Sequence, residues 1–341
     1  MRGKLILGLL AMVTIGLLPA THVKAESSKV PFSIRLQYPS NQVNTNAGYY
    51  ELKVTPSQEQ TLSVVVSNTS DKTITVAPQV HTATTNLNGV VNYTTAGKSD
   101  KTLLYRLDKL LKPEQKKYQI PAKSSVVAKL KLNAPTKEFD GTLAGGLSFT
   151  QTDELKQKAS GTAQVRNRYA YAVAVLLKSK TAVVAPDLKL GDVEVGQMNG
   201  TNSVIANVRN VKPAYLNKVK MTTKIYKEKG KKPLYTRNQQ NIQIAPNSVM
   251  PATTPLNNDA FVPGKYRIEM VIHAGNRSWR FQQVFTITAD EAKKWNTATL
   301  GHNPIPDNRQ WWWYLGGGAL VGLMIIAYLI YRNQRLKRQV A

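Results

Sequence analysis

Residues able to do covalent chemistry are few in this 341-residue chain, and they fall into no catalytic spacing. Cysteine is absent, which removes thiolate nucleophiles, thiolate metal sites and disulfides together. Beyond the N-terminal leader described below, the histidines are His81, His273 and His302, far apart in sequence. None stands at a zinc-ligand spacing, and neither a nucleophile elbow nor a phosphate-cradling glycine loop is present. A hydrolase using two carboxylates would have to draw on residues such as Glu138 and Asp140. Asp140 precedes Gly141, however, and reads as a turn residue, as does Asp71 after Asn68-Thr69-Ser70. The lysine cluster Lys227–Lys232 around Gly230 reads as a solvated hairpin tip, with a polyanion-binding patch as the functional alternative. Asn-x-Ser/Thr triplets begin at Asn68, Asn92, Asn199 and Asn276 and matter only in a host that glycosylates. The residues therefore predict a protein that is not an enzyme, with no catalytic residue, cofactor or metal ligand, and they single out no ligand-binding side chain.

The two ends of the chain say where such a protein would work. Arg2 and Lys4 precede the short apolar run Leu5–Leu18 and the helix-breaking Pro19, and Val23-Lys24-Ala25 supplies a small-residue cleavage site. This is the pattern of a secretory signal over 1–25, cut between Ala25 and Glu26. Near the other end, residues 311–331 are uncharged and long enough to cross the hydrocarbon core as a helix. Trp311, Trp312, Trp313 and Tyr314 crowd one edge of that stretch, and Tyr328 and Tyr331 lie near the other, as expected of rings at the headgroup level. Arg332, Arg335, Lys337 and Arg338 follow in a basic tail over 332–341. The charge asymmetry predicts a single-pass protein of the cell membrane, N-terminus outside and C-terminus in the cytoplasm. Gly318 and Gly322 form a small-xxx-small pair, a weak signal for helix dimerisation.

Between those ends the chain must hold itself together by packing alone. Its formal charge of +26 is spread along the sequence and not gathered in one run, so the surface would attract polyanions: cell-wall polymers, anionic lipid or nucleic acid. Export makes nucleic acid the poorest of the three. The text is β throughout. Leu62, Val64 and Val66 alternate with polar neighbours, as do Val126, Ala128, Leu130 and Leu132. Val219, Met221, Thr223 and Ile225 share one face while Lys220, Thr222 and Lys224 share the other, and Trp279, Phe281, Phe285 and Ile287 keep the same period. Asn88-Gly89, Asp140-Gly141, Asn199-Gly200, Pro263-Gly264 and Gly275-Asn276 punctuate the strands. The fold class predicted is all-β: two tandem immunoglobulin-like sandwiches followed by one transmembrane helix. Tyr169–Leu177, apolar on both faces, should be a central strand, and Ser179–Pro186 a connector before strands resume at Leu188, which divides the chain near Lys180. Ala289–Asn296 is the one short helix expected, and Pro304–Asp307 a spacer to the membrane.

The order of these landmarks resembles the WxL-interacting protein family of Gram-positive bacterial surfaces. In the first half the resemblance is carried by Tyr38-Pro39-Ser40-Asn41-Gln42, Tyr50-Glu51-Leu52-Lys53-Val54-Thr55-Pro56, Thr85-Asn86-Leu87-Asn88-Gly89 and Phe139-Asp140-Gly141-Thr142-Leu143-Ala144-Gly145-Gly146-Leu147-Ser148-Phe149. In the second half it rests on Asn167-Arg168-Tyr169-Ala170-Tyr171, Pro186-Asp187-Leu188, Ala245-Pro246-Asn247-Ser248, Pro263-Gly264-Lys265-Tyr266 and Trp279-Arg280-Phe281. The resemblance implies a peptidoglycan-binding domain over 30–152 and a host-binding domain over 162–299. The family division gives strand 169–177 to the second domain, whereas the strand pattern gives it to the first. The family often has glycine where this chain has Ser57, a modest cost if that turn needs positive φ. Trp313-Tyr314-Leu315 spells W-x-L but is explained by the aromatic belt, and no LPxTG-type sorting sequence precedes the anchor. The implied partners are peptidoglycan, WxL-domain surface proteins and host extracellular proteins, with the membrane reached through one helix and no nucleic acid. The implied function is a non-enzymatic surface scaffold or adhesin. A membrane-anchored assembly factor for secreted proteins is the second reading, and a wall hydrolase the third.

Overall fold

A computed structural model of the protein describes residues 30–152 and 169–298. The predicted signal, membrane helix and basic tail, together with His302, lie outside the described residues. Among the described residues no helix is long and apolar enough to cross a membrane.

The first half of the chain forms β1 (Phe32–Gln37), β2 (Tyr50–Lys53), β3 (Glu59–Asn68), β4 (Ile74–Thr82), β5 (Thr84–Thr85) and β6 (Val91–Asn92). It continues through the one-turn helix α1 (Leu107–Leu110), β7 (Leu111–Pro113), β8 (Tyr118–Ile120), β9 (Ser125–Asn133), β10 (Leu143–Gln151) and β11 (Ala170–Lys178). A sheet of order β1-β3-β9-β7 faces one of order β2-β11-β10-β4-β8, and β5 pairs with β6 alone. The alternation read from sequence sets the core between them. Leu62, Val64 and Val66 are fully buried, and Leu62 and Val64 face Leu130 and Ala128 across the β3–β9 ladder. Phe149 and Leu147 of β10 and Val173, Val175 and Leu177 of β11 cover them from the opposite sheet. β10 is buried on its other face as well, where a Cβ at Gly146 would fall 2.3 Å from Tyr93 Cβ and 2.4 Å from its carbonyl, so only glycine lets that backbone approach. Helix α1, four residues long, is not foreseen by the sequence because one turn carries no periodic signal.

β11 runs antiparallel to β10 and parallel to β2, with Val175 opposite Tyr50 and Lys178 opposite Lys53. It is an interior strand of the first sandwich, although sixteen residues outside the described structure separate it from β10. Ser57 has φ of 56° and donates its N–H to Pro135 O at 2.8 Å. The turn does need a left-handed residue, and serine bears a strain of about 1 kcal/mol there.

The second half forms β12 (Leu188–Met198), β13 (Thr201–Asn210), β14 (Leu216–Lys227), β15 (Tyr235–Ile244), β16 (Val249–Pro255), β17 (Gly264–Ala274), β18 (Arg277–Ile287) and the helix α2 (Ala289–Ala298). Sheets of order β12-β13-β16 and β15-β14-β17-β18 enclose a separate core. Val219, Met221, Thr223 and Ile225 are buried and Lys220 and Lys224 exposed, as their spacing predicts. Asn199 and Gly200, at φ 52° and 77°, make a two-residue link between β12 and β13, a geometry both residue types tolerate. Trp279 and Phe281 are only half-buried because β18 is an edge strand, with Phe285 and Ile287 fully inside. Helix α2 starts on a capping box: Thr288 Oγ1 accepts from Glu291 N at 3.2 Å, and the Glu291 carboxylate accepts from Thr288 N at 2.9 Å.

One corner occurs in both sandwiches. Asn68, the last residue of β3, accepts from Ser70 N at 2.9 Å and donates to Lys72 O and Pro121 O at 2.7 and 2.9 Å. Asn210, the last residue of β13, accepts from Lys212 N at 3.2 Å and donates to Ala214 O and Ala245 O at 2.7 and 2.8 Å. Ser124 Oγ closes on Pro121 O at 2.8 Å and Ser248 Oγ on Ala245 O at 2.9 Å, with Lys123 and Asn247 before them both at positive φ. Asn68 is buried and its amide fully engaged, so its triplet is not a usable glycosylation site.

The position of β11 has a direct consequence. A fragment ending at Thr152 lacks the strand between β2 and β10 and is expected to be unfolded by circular dichroism, whereas one extended to Lys180 gives a cooperative transition. Equal stability of the two fragments would contradict the strand order.

Candidate functional site

The two sandwiches meet through the segment between β4 and α1 of the first and the repeated corner of the second. Asp100 is at the centre, its side chain 1% exposed. Its carboxylate accepts from Arg209 Nε at 2.5 Å and Nη2 at 3.1 Å, and from the backbone and hydroxyl of Thr102 at 3.0 and 2.8 Å. Its own N–H donates to Asn247 O at 2.7 Å. Burial pushes the Asp100 carboxyl up, but its hydrogen bonds with Arg209 and Thr102 and the charge of Arg209 outweigh this and hold it below the usual carboxylate range. Beside it, Thr85 Oγ1 lies 2.8 Å from Ser248 Oγ and accepts from Ala245 N at 3.0 Å. Backbone bonds join Val249 N to Lys98 O, Gln243 N to Gly89 O and Thr142 N to Pro213 O. Ala83, Val91, Ala144 and Ala245 form a small apolar patch under Tyr93 and Tyr215, whose hydroxyls are 3.2 Å apart. Burial raises the Tyr215 phenol well above its ordinary value, so it stays neutral. Gly141, at φ 71°, is needed here twice over, since a Cβ would fall 2.3 Å from the Pro213 carbonyl.

This contact leaves a cleft beside it. A hollow of about 440 Å³ is lined by Val43, Lys53, Lys178, Lys180, Pro213 and Tyr215, among others. Lys178 pairs with Glu51 at 2.6 Å and Lys180 with Asp140 at 3.0 Å. Lys53 makes no ion pair among the described residues and is the cation left for a ligand. A second hollow of about 290 Å³ shares Thr142, Val184 and Pro213 and is lined also by Leu104, Tyr105 and Phe139. Leu104 is 81% and Val183 96% exposed, so large apolar groups stand at the rim. Such a place offers an ammonium and apolar walls to a ligand of mixed polarity.

The residues nominated from sequence do not converge. His81 lies in β4 and His273 in β17, on different sandwiches. Asp140 holds Lys180, Glu138 is exposed beside it, and Asp71 pairs with Lys123 at 2.8 Å on the far corner. No group of three metal-ligating side chains occurs among the described residues. The pairs Asp100–Arg209 and Lys178–Glu51 were not legible, because their members stand 109 and 127 residues apart, and neither was the position of Lys53 in the cleft.

The described chain is thus a pair of β-sandwiches with a cleft beside their seam. Residues 32–151 match the peptidoglycan binding domain of WxL Interacting Protein, and residues 160–297 match its host binding domain. The chain belongs to the WxL Interacting Protein family. These are binding-domain families, and no catalytic domain is identified. Among solved structures, the chain is similar to the YadV chaperone at 11% identity, covering 76% of this chain and 100% of that one with a TM-score of 0.28. It is similar to the Escherichia coli chaperone DraB at 15% identity, 74% and 96% coverage and a TM-score of 0.28. The Pseudomonas aeruginosa chaperone CupB2 is matched at 10% identity, 69% and 96% coverage and a TM-score of 0.26. No curated protein sequence matches the chain.

Breaking the central pair should separate the two sandwiches energetically. Arg209→Ala leaves Asp100 buried and unpaired and is expected to cost about 3 kcal/mol in chemical denaturation at neutral pH. Because the folded Asp100 carboxyl titrates below its unfolded value, its contribution is full above about pH 4 and is lost as pH falls through the folded pKa. The stability gap between the native chain and Asp100→Asn should therefore close progressively in acid.

Proposed function

We propose that this chain is a non-enzymatic scaffold of the cell surface, tethered to the membrane by one helix at 311–331. Two immunoglobulin-like sandwiches stand outside, the first holding peptidoglycan and the second binding a WxL-domain surface protein or a host extracellular protein. We take β11 with the first unit, so that 30–152 plus 169–178 bind the wall, and the rest of the described chain meets proteins. The observation that carries the wall-binding half is the cleft beside Lys53. Peptidoglycan combines sugar rings with short peptides ending in carboxylates. An unpaired ammonium beside Val43, Pro213 and Tyr215 suits both, the charge for a carboxylate and the apolar walls for a sugar face. The first sandwich supplies Val43, Lys53, Gly141, Thr142 and Lys178 to the lining, Lys53 among them, and this is the half that matches the peptidoglycan binding domain.

The protein-binding half is supported by β18. This strand is eleven residues long, hydrogen-bonds to β17 on one side only and ends its sheet. An unpaired edge of that length can accept an added strand through backbone groups, with little demand on any one side chain.

Two measurements test these assignments. The full chain should co-sediment with peptidoglycan stripped of phosphate polymers, and Lys53→Ala should weaken binding about tenfold, the worth of one charge-assisted hydrogen bond. Unchanged sedimentation of Lys53→Ala would remove the cleft from the proposal. Hydrogen exchange on the full chain mixed with a WxL-domain protein should show new protection over Arg277–Ile287. Protection confined to the first sandwich would reverse the division of labour.

A further inference from the structure

The second sandwich has one end docked and one end free. Its docked end carries Ala245, Ser248 and Asn247, which meet the first sandwich. Its free end is where β14 turns into β15, where β12 turns into β13, and where α2 leads on toward the C-terminus. These pieces are tied together. Asn296 of α2 donates to Phe261 O at 3.0 Å and accepts from Phe261 N at 2.8 Å and from Asn202 Nδ2 at 3.1 Å. Tyr235, at the start of β15, donates to Asp259 Oδ2 at 2.9 Å, which joins the base of the lysine hairpin to the same loop.

That end is basic by construction. Arg267 donates to Glu228 O at 3.0 Å and Gly230 O at 3.2 Å, holding the β14–β15 turn in shape. Lys227 is used internally, 2.8 Å from the Tyr266 hydroxyl. Lys229, Lys231 and Lys232 are exposed on the turn and make no ion pair among the described residues. Lys293 and Lys294 are exposed on α2, with Lys294 Nζ 4.6 Å from the Trp295 ring, and Lys265 is exposed where β17 begins. The carboxylates of this end are Glu228, Asp259, Asp290 and Glu291, and two of them are engaged, Asp259 by Tyr235 and Glu291 by the capping box. Positive charge is in excess and lies on the outermost turn.

Between Ala298 and Trp311 there are twelve residues, which reach at most about 43 Å fully extended. If 311–331 is the membrane anchor, this end can never be farther than that from lipid. Contact with the bilayer is then intramolecular, at an effective concentration in the millimolar range. Each lysine near an anionic surface adds to the attraction, so a few suffice to hold a tethered domain down.

We propose that the free end of the second sandwich, led by Lys229, Lys231 and Lys232, is a lipid-facing surface that binds the phosphate headgroups of an anionic bilayer. The inference rests on the reading of 311–331 as an anchor. It gives the lysine turn a role and orients the molecule: the second sandwich stands on the membrane and lifts the first sandwich, with its cleft, away from the bilayer into the wall.

The absence of native cysteine allows a direct test. Lys231→Cys in the full chain is labelled with a fluorophore and inserted into nanodiscs of phosphatidylcholine, alone or with about a third phosphatidylglycerol, carrying a headgroup-attached quencher. Lys72→Cys, on the far corner of the first sandwich, is the control. Quenching at position 231 is expected in anionic discs, falling to the control level in neutral discs, at high salt, and with Lys229→Glu/Lys232→Glu. A chain that stays in anionic discs with position 231 no more quenched than position 72 refutes the surface contact and leaves the anchor standing. A chain that does not enter discs at all overturns the anchor and the proposal with it. Loss of quenching to added polyglycerol phosphate below the salt that screens the lipid would assign the turn to wall polymer and also refute the proposal.

Discussion

The buried ion pair of Asp100 and Arg209 is the interaction on which the arrangement of this protein depends. Each sandwich has its own core and would keep its layers without it. The relation between them is fixed by a carboxylate at 1% exposure that receives two bonds from the other sandwich and two from its own Thr102. A buried charge is tolerable only when every lone pair is answered, and here the answer requires both halves in one register. The cleft beside Lys53 follows from this, since its walls come from β2 and β11 on one side and Pro213–Tyr215 on the other. Were the seam to slip, the cleft would have no second wall.

The repeated corner explains how the chain builds such a joint from ordinary parts. Asn68 and Asn210 close the same turn, and Ser124 and Ser248 cap the same strand start. In the first sandwich the corner faces solvent, and Lys123 at positive φ pairs with Asp71. In the second the corresponding Asn247 donates to Thr102 while its carbonyl accepts from Asp100, and Ser248 meets Thr85. The same turn thus serves as a solvent-facing corner in one sandwich and as an interface in the other, where it meets the segment between β4 and α1. The cost is low because the backbone polar groups of the corner are already satisfied internally.

Charge is distributed to match these roles. Carboxylates are spent on pairing: Glu51 and Asp140 on cleft lysines, Asp71 and Glu59 on surface lysines, Asp100 on the seam. The cations left over remain on outer turns and sheet faces, where exposure makes each worth little to stability. The net charge of +26 is thus a surface property, available to polyanions and of little use to the fold.

The sequence by itself determined the local structure. Period-two burial at Leu62–Val66, Ala128–Leu132 and Val219–Ile225, the two-residue turn at Asn199-Gly200 and the helix after Thr288 were all legible, because side-chain direction and turn chemistry are properties of neighbouring residues. The order of motifs was also enough to reach the family, and the need for positive φ at Ser57 came from that likeness. Only the tertiary structure decided which strands share a core and what the seam is made of. That β11, which the strand pattern already gave to the first sandwich, lies between β2 and β10, that Asp100 finds Arg209, and that Lys53 is left unpaired while its neighbours are not depend on contacts between distant segments. Such contacts leave no period in the sequence, since a single aspartate or lysine reads the same whether it is solvated, paired or buried. Its environment, and hence its chemistry, exists only once the chain has folded.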